Sequence, residues 1–293
     1  MNRPGPSLFL SALTSLTLLV TACQPSAPTA QTLAPELAPR LGPSVRGPHS
    51  VSIDERTHAP AKPAAPLNRV GQILIDEESR YGRYQRPECT GFAIDSRHIL
   101  TAAHCLDASD PFLQGSPKWL FSLEKDGDSE KAPSTALTHF VFFAGSRFEP
   151  GYDLALAETE TALPVDSLPL LPADESADLS AVSIGYPISL SPVFGEHAGW
   201  AWMAEGHLIA NEAEGHLMGN GAESLLPASV FTTDLCLATG DSGSPVFTRD
   251  SEDTAWKLHG ILSHAARTPD CRGWGRKIDA EIIEWVSETI SSR

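Results

Sequence analysis

The chain has 293 residues, of which 41% are hydrophobic and 7% aromatic, enough for one large globular domain or two small ones. Its formal charge at pH 7 is −16, and so acidic a surface repels phosphate backbones and argues against nucleic-acid binding. Beyond the N-terminus, no uninterrupted apolar run reaches the roughly 20 residues that a membrane-spanning helix needs.

The N-terminal stretch has the pattern of a secretory signal. Residues 8–22 are apolar apart from scattered Ser and Thr, which is short for a membrane span but fits the apolar core of a signal peptide. The stretch ends in Leu-Val-Thr-Ala-Cys at 19–23, which resembles the lipobox of bacterial lipoproteins. The resemblance implies a signal peptide at 1–22 and a lipid on Cys23. The alternative is an ordinary signal cut near Ala22, which would leave a secreted protein.

Gln24 follows the cysteine. In lipoproteins of bacteria with two membranes, a residue other than aspartate at this position usually goes with sorting to the outer membrane. The resemblance therefore implies an exported protein that its lipid anchors in the bacterial envelope, at the outer membrane.

Residues 23–66 are predicted to be the lipidated cysteine and a linker. Prolines are interspersed there with Ala, Ser and Thr, and there is no apolar periodicity. Such a segment has too few large apolar groups to offset the entropy cost of ordering it. It would hold a domain at 67–293 clear of the membrane surface.

From residue 67 onward, short apolar runs alternate with turn residues. They predict strands at 70–75, 92–94, 98–103, 119–123, 137–143, 154–157, 181–184, 199–204, 229–232, 245–248 and 256–262. Strands at this spacing, with no helical pattern between them, indicate an all-β sandwich or a pair of barrels.

The last segment is the exception, because it has the pattern of a helix. Asp279 is a suitable N-cap, and Ile283, Val286 and Ile290 fall on one helical face. The sequence therefore predicts a C-terminal helix.

Three short segments contain residues suited to nucleophilic catalysis. Ser242 lies in the glycine-rich Thr-Gly-Asp-Ser-Gly-Ser-Pro at 239–245, and a serine hydroxyl becomes a nucleophile when a base and an orienting group act on it. Leu-Thr-Ala-Ala-His-Cys at 100–105 supplies His104 at the end of an apolar strand, and Asp153 precedes the apolar run at 154–157. Taken singly, the histidine has an equally good explanation as a buried structural residue, and the aspartate as a turn residue.

Together these segments resemble the signature segments of the chymotrypsin-like serine peptidases. "LTAAHC", "DLAL" and "GDSGSP" occur in the family's order, at intervals of 49 and 89 residues that are close to the family's. The resemblance covers 67–293 and implies two six-stranded antiparallel β-barrels with a C-terminal α-helix. Gly-Tyr-Pro at 185–187 and Ser-Gly-Ser-Pro at 242–245 look like the bacterial glutamyl-endopeptidase-like branch.

The resemblance implies a serine endopeptidase that hydrolyses protein or peptide substrates through an acyl-enzyme. Ser242 would be the nucleophile, His104 the general base and Asp153 the group that orients the histidine. The amides of Gly240 and Ser242 would form the oxyanion hole. We expect no cofactor and no metal, and we expect a monomer.

Four cysteines remain besides Cys23. In an exported protein they are expected to form disulfides, and four cysteines allow three pairings. The resemblance implies that Cys89 pairs with Cys105 and that Cys236 pairs with Cys271.

The resemblance also implies a substrate pocket that involves Asp234, Ser263, Ala265 and Gly273. Ser263 matches the family serine that hydrogen-bonds the catalytic aspartate. Asp234 lies two residues before Cys236, as does the aspartate that selects Arg or Lys in trypsin-like enzymes. The segment between Cys236 and Ser242 is two residues longer than in the usual trypsin pattern. This leaves open the alternative that Asp234 has no selective role. Leu262 stands where the glutamyl-endopeptidase-like branch carries a pocket histidine, so glutamate specificity is not expected.

Activation and calcium binding have weaker signals. Arg-Val-Gly at 69–71 is the only faint match to a family activation site, and we expect it to form the first strand, with another start or constitutive activity. Asp126, Asp128 and Glu130 lie where some family members bind calcium, but a solvated acidic turn is the better interpretation.

Two other classes of function remain as alternatives. One is a catalytically silent binding or adhesion lipoprotein on the same fold, which the presence of all three triad residues disfavours. The other is an esterase of a different fold, which would need Gly-x-Ser-x-Gly, whereas residues 240–244 read Gly-Asp-Ser-Gly-Ser.

Overall fold

The computed structural model describes residues 57–58, 66–79, 82–107, 117–123, 133–143, 149, 151–173, 179–188, 200–209, 226–249, 255–265 and 273–293. All of them belong to one compact unit, Arg46–Arg293. Within these residues, no helix is both long and apolar enough to cross a membrane. The predicted signal peptide, Cys23 and most of the predicted linker lie outside the described residues, so the domain boundaries at 22 and 66 stay predictions.

Six strands in the first half of the domain close into an antiparallel barrel, called barrel 1 below. Its strands pair in the order β2-β3-β4-β7-β6-β5. Apolar side chains such as Ile73, Ile99 and Phe121, each 0% exposed, fill it, because alternate residues of a strand point to the same face. The strands are β2 (Val70–Ser79), β3 (Gly82–Ala93), β4 (His98–Thr101), β5 (Lys118–Ser122), β6 (Thr135–Phe142) and β7 (Ala155–Thr159).

Six strands in the second half close into barrel 2. They pair in the order β8-β9-β10-β13-β12-β11, and β11 pairs back with β8. The prediction of two six-stranded antiparallel barrels is thereby confirmed. The strands are β8 (Ser180–Gly185), β9 (Trp202–Ile209), β10 (Val230–Thr233), β11 (Pro245–Arg249), β12 (Lys257–Ala265) and β13 (Gly273–Lys277).

The structure contains strand residues that the apolar runs did not predict. The hairpin of β2 and β3 continues in register to Ser79 opposite Gly82, since backbone pairing does not need an apolar face. A short strand, β1 (Thr57–His58), pairs with β9. It falls in the range predicted as linker, where no strand was expected.

A shared apolar cluster joins the two barrels. Phe92 of barrel 1 and Phe247 of barrel 2 are both 0% exposed, and their rings meet edge to face with centroids 5.5 Å apart. Burying one such side chain contributes about 1.5–3 kcal/mol. The interface between the barrels is therefore part of the hydrophobic core.

The C-terminal helix, α1 (Ala280–Ser291), is confirmed together with its cap. The side chain of Asp279 accepts a hydrogen bond from the amide of Ile282. Of the three residues predicted to share one helical face, Val286 is buried, whereas Ile283 and Ile290 are partly buried against the shared cluster. The fully buried residue of the first turn is Ile282, which the predicted face did not include.

Candidate active site

His104 lies in a single 3-10 turn, Ala103–Leu106, one residue beyond the end of β4. The expectation that it ends an apolar strand was wrong, because β4 stops at Thr101. The next residue, Cys105, forms a disulfide with Cys89 of β3, with Cα atoms 5.9 Å apart. This confirms the predicted pairing, and the bond ties the histidine turn to β3.

Asp153 holds this histidine through both carboxylate oxygens. Oδ1 accepts the backbone N–H of His104 at 2.9 Å, and Oδ2 lies 2.7 Å from Nδ1 of its ring. The hydroxyl of Ser263, from β12 of barrel 2, also donates to Oδ2. Asp153 is only 1% exposed, so the three donors reach a carboxylate that is shielded from water.

The charge state of Asp153 follows from these contacts. Burial by itself raises the pKa of Asp153, but the hydrogen bonds and charge of His104, with the Ser263 hydroxyl, outweigh burial and lower the pKa below its ordinary value. An ionised carboxylate only accepts hydrogen bonds. Nδ1 of His104 must therefore carry the proton, which leaves Nε2 of the neutral ring as an acceptor.

Ser242 lies in a turn that two glycines shape. Gly240 and Gly243 have φ of +98° and +84°, a region that residues with a Cβ rarely adopt. A Cβ on Gly243 would lie 2.1 Å from the carbonyl oxygen of Thr90 and 2.2 Å from the hydroxyl of Thr101. Gly243 is thus required where the turn meets barrel 1, and a Cβ on Gly240 would clash with Tyr186 and Ile188, which follow β8.

Thr90, on β3, holds the turn from the opposite barrel. Its amide donates to the carbonyl of Ser242 at 2.9 Å. Its hydroxyl donates to the carbonyl of Gly240 and accepts from the amide of Tyr186, both at 2.9 Å. This residue was not predicted from the sequence, because nothing in its local pattern indicates a partner 150 residues away.

The serine itself has one side-chain hydrogen bond in the part of the chain that the structure describes. Ser242 Oγ donates to the carbonyl of Ser263 at 3.1 Å. Over the same residues, the amides of Gly240 and Ser242 have no hydrogen-bond acceptor. Two N–H groups beside one hydroxyl are therefore available to a ligand.

A second histidine, His264, lies beside His104, Asp153 and Ser263. It was not predicted from the sequence to be a site residue. Its Nδ1 lies 2.5 Å from Ser263 Oγ and 3.9 Å from Asp153 Oδ2. Its ring centroid is 5.3 Å from that of His104. The only signal in the sequence was its position directly after Ser263.

The residues predicted for the substrate pocket separate into two groups. Ser263 and Ala265 lie on β12, and Ala265 pairs with Gly273 of β13. Asp234 follows β10, and its Oδ1 accepts the amide of His207 on β9 at 2.6 Å. The side chain of Asp234 is 45% exposed, so its carboxylate binds the backbone of β9 at the surface of the barrel.

The structure describes only some of the residues at the other predicted sites. Cys236 is disulfide-bonded, whereas its predicted partner Cys271 lies outside the described residues, as do Asp126, Asp128 and Glu130. Among the described residues, His104, Asp153 and His264 each have an atom that could bind a metal ion, and these three atoms lie within 4.8 Å of one another. They are already used in hydrogen bonds with one another or with Ser263, and the expectation of no metal and no cofactor stays a prediction.

Comparison with known proteins places this arrangement in a family. The solved structure of a Glu endopeptidase in complex with MPD superposes with a TM-score of 0.59 at 18% identity, covering 82% of this chain and 98% of the other. No curated protein sequence matches the chain significantly. The trypsin-like peptidase domain matches residues 89–255, more than half of the chain. The chain therefore belongs to the trypsin-like peptidase family and is a serine peptidase of the chymotrypsin fold.

Proposed function

We propose that the protein is a serine endopeptidase that acts through Ser242, His104 and Asp153 and forms an acyl-enzyme intermediate. The main support is the buried Asp153 carboxylate, which holds both the backbone and Nδ1 of His104. This leaves Nε2 of His104 as the acceptor for a proton, which is what a general base needs. Ser242 Oγ donates to the backbone carbonyl of Ser263, the residue whose hydroxyl donates to Asp153.

The reaction proceeds by two acyl transfers. Ser242 Oγ attacks the carbonyl carbon of the scissile bond while its proton passes to Nε2 of His104. The tetrahedral intermediate then collapses, the C–N bond breaks, and the same proton goes to the leaving amine. Water attacks the resulting ester by the same steps, which releases a carboxylic acid and restores the Ser242 hydroxyl.

The amides of Gly240 and Ser242 serve as the oxyanion hole. Their lack of an acceptor among the described residues supports this role, because a preorganised donor costs no rearrangement when charge develops. One such donor is worth about 10²–10³ in kcat. On substrate binding, the Ser242 hydroxyl turns from the Ser263 carbonyl to His104, in keeping with catalytic hydrogen bonds that form only in the complex.

The site supports a pocket without charge selection. The carboxylate of Asp234 accepts a hydrogen bond from the backbone of β9. This favours the alternative in which Asp234 does not select Arg or Lys. The solved relative is a Glu endopeptidase, but glutamate specificity is not carried over to this chain, because the buried Leu262 offers no donor or charge. An Asp234→Ser variant is expected to keep the cleavage profile of the wild type on a peptide library.

Activity without cleavage before Val70 is part of the proposal. Val70 begins β2, pairs with Phe92 and is buried. In family zymogens, the amine released by cleavage pairs with the aspartate before the catalytic serine, which corresponds to Asp241 here. Oδ2 of Asp241 accepts the amide of Ala238 at 2.7 Å. A mature N-terminus at Val70 would contradict this part of the proposal.

A fluorophosphonate probe tests the catalytic proposal, because it reacts with an activated serine whatever the natural substrate. The full chain with oxidised cysteines should be labelled on Ser242, and Ser242→Ala should fold with the same circular dichroism spectrum and show no labelling. Absence of labelling in a folded wild-type protein matured in its own envelope would instead support the silent binding lipoprotein.

We also propose that a lipid on Cys23 tethers the protein to the bacterial envelope, at the outer membrane. The support is the sequence at 19–24 alone. Cys23→Ser should abolish incorporation of labelled palmitate and release the protein from the membrane fraction, while labelling of Ser242 should persist. Palmitate incorporation in that variant would refute the anchor and favour the secreted alternative.

A further inference from the structure

A β-bulge brings a second imidazole to the Asp153 carboxylate. Along β12, Leu262 pairs with Gly275 and His264 pairs with Trp274, so Ser263 is one residue too many for the partner strand. A bulge interrupts the alternation of side chains. As a result, neighbouring residues Ser263 and His264 both lie against Asp153.

The hydrogen atoms in this cluster can be assigned by counting donors. Ser263 has one hydroxyl proton, and it is donated to Oδ2 of Asp153. The 2.5 Å contact between Ser263 Oγ and Nδ1 of His264 therefore needs its proton from the imidazole. Nδ1 of His264 is the donor and the serine oxygen is the acceptor.

The result is a continuous chain of donors that ends on the carboxylate. His264 donates to Ser263, and Ser263 donates to the same oxygen of Asp153 that His104 engages. Hydrogen bonds in series polarise one another. The Ser263 hydroxyl is thus a stronger donor to Asp153 than it would be alone, and it competes with His104 for the negative charge of Oδ2.

We propose that His264 is a positioning residue for the hydrolytic reaction: through its Nδ1–H it holds the Ser263 hydroxyl on Asp153 and so limits how strongly that carboxylate retains the proton on His104. This inference rests on the proposed function, because it takes His104 as the general base.

The ring of His264 is held in the orientation that this role needs. It stacks on its cross-strand partner Trp274, with centroids 5.4 Å apart and planes 6° from parallel. Of the residues described, the charged or titratable groups facing it are His104 and Asp153. Burial and the charge of His104 lower the pKa of His264, with Asp153 acting in the opposite direction, and this favours a neutral ring at neutral pH.

Four variants separate the Nδ1 donor from the ring stack. His264→Phe keeps an aromatic ring on Trp274 and loses the donor. His264→Asn places an amide nitrogen at the position of Nδ1, whereas His264→Gln places it at the position of Nε2, so these two polar variants are a matched pair. Ser263→Ala removes the oxygen through which His264 acts.

The measurement is the rate of Ser242 labelling by a fluorophosphonate, as a function of pH, in the full chain. In His264→Phe and His264→Gln, the midpoint of the acidic limb should move to higher pH by about half a unit. The rate at neutral pH should fall by at most about threefold, the fold-change that corresponds to half a pH unit. His264→Asn should restore the midpoint of the wild type. In a Ser263→Ala background, His264→Phe should cause no further shift.

The outcomes distinguish the inference from the proposed function. A purely structural His264 would lower the melting temperature of all three variants and leave the midpoint unchanged, which would overturn the inference. So would a shift in His264→Asn as large as that in His264→Gln, even if the Phe variant failed to fold. If wild-type Ser242 is not labelled at all, the proposed function fails and the inference falls with it.

Discussion

The two barrels build their parts of the site in different ways. Barrel 1 contributes two side chains, His104 and Asp153, that other side chains hold in place: a disulfide beside the histidine, and hydrogen bonds on the carboxylate. Barrel 2 contributes Ser242 from a turn whose shape comes from its backbone, with glycines at positive φ on each side of the Asp-Ser pair.

The difference shows where each half is vulnerable. The histidine and the aspartate depend on their chemical partners, so substitutions there affect charge and tautomer. The serine turn depends on close approach of main chains, and its main polar support, Thr90, comes from the other barrel. The interface between the two barrels therefore also supports the candidate active site, and three variants test this contrast.

The largest effect is expected from Asp153→Asn in barrel 1. An amide cannot accept at both positions as the carboxylate does, so the Nδ1–H tautomer of His104 loses its support. The rate of hydrolysis or labelling should fall about 10⁴-fold with little loss of stability. Asp95→Asn is the matched control, because Asp95 also bonds a histidine ring, that of His98. A comparable fall in that variant would contradict a specific role for Asp153.

An intermediate effect is expected from removing the disulfide of barrel 1. Cys89 and Cys105 are 16 residues apart, and closing a loop of this length contributes about 3 kcal/mol to the free energy of unfolding. The double variant Cys89→Ala/Cys105→Ala should lose that amount in urea unfolding. An unchanged unfolding midpoint would mean that hydrogen bonds alone suffice to hold the histidine turn.

A smaller effect is expected from Thr90→Val. Thr90 links the two barrels through an uncharged hydroxyl. The change keeps the shape and removes the hydroxyl, so the Gly240 carbonyl and the Tyr186 amide lose a partner. Leaving one buried polar group unsatisfied costs about 1–3 kcal/mol, so the loss of both hydrogen bonds should cost at least about 2 kcal/mol. Urea unfolding should show this loss, and Ser242 labelling should slow.

Two controls accompany Thr90→Val. Thr90→Ser keeps the hydroxyl and should lose much less. Thr138→Val removes an exposed hydroxyl that donates to the backbone carbonyl of Glu158 at 3.3 Å, and a surface change of this kind is expected to stay within about 0.5 kcal/mol. Equal losses at positions 90 and 138 would argue against a special role of the interface.

The sequence predicted the fold well where the signal was local. Short apolar runs separated by turn residues predicted most strands, because a strand buried in a barrel needs apolar side chains and turn residues mark where it ends. Asp279 predicted the helix cap for a similar reason, since an N-cap acts within its own turn. Strands without an apolar pattern, such as β1 and β13, were not predicted, because their partners in barrel 2 define them.

The site was predicted to a different extent in each part. The motifs around His104, Asp153 and Ser242 identified candidate residues and their order, and the structure brings the first two into direct contact. The sequence left two interpretations of Asp234 open, and the hydrogen bond of its carboxylate to β9 favours the one without a selective role, which the Asp234→Ser variant tests. Whether these residues carry the reaction remains for the labelling experiment.

By itself, the sequence determined an all-β domain and the residue types available for acyl transfer, because apolar runs and short motifs are local properties. The resemblance that those motifs carry implied the family, the pair of barrels and the Cys89–Cys105 bridge. Only the tertiary structure decided what surrounds them. The resemblance already implied the hydrogen bond of Ser263 to Asp153, 110 residues away in the chain, and the structure contains it. The hydrogen bond of Thr90 to Gly240, 150 residues away, was not predicted. The bulge that turns His264 toward Asp153 is a mismatch between β12 and β13, and such a mismatch exists only when the two strands pair.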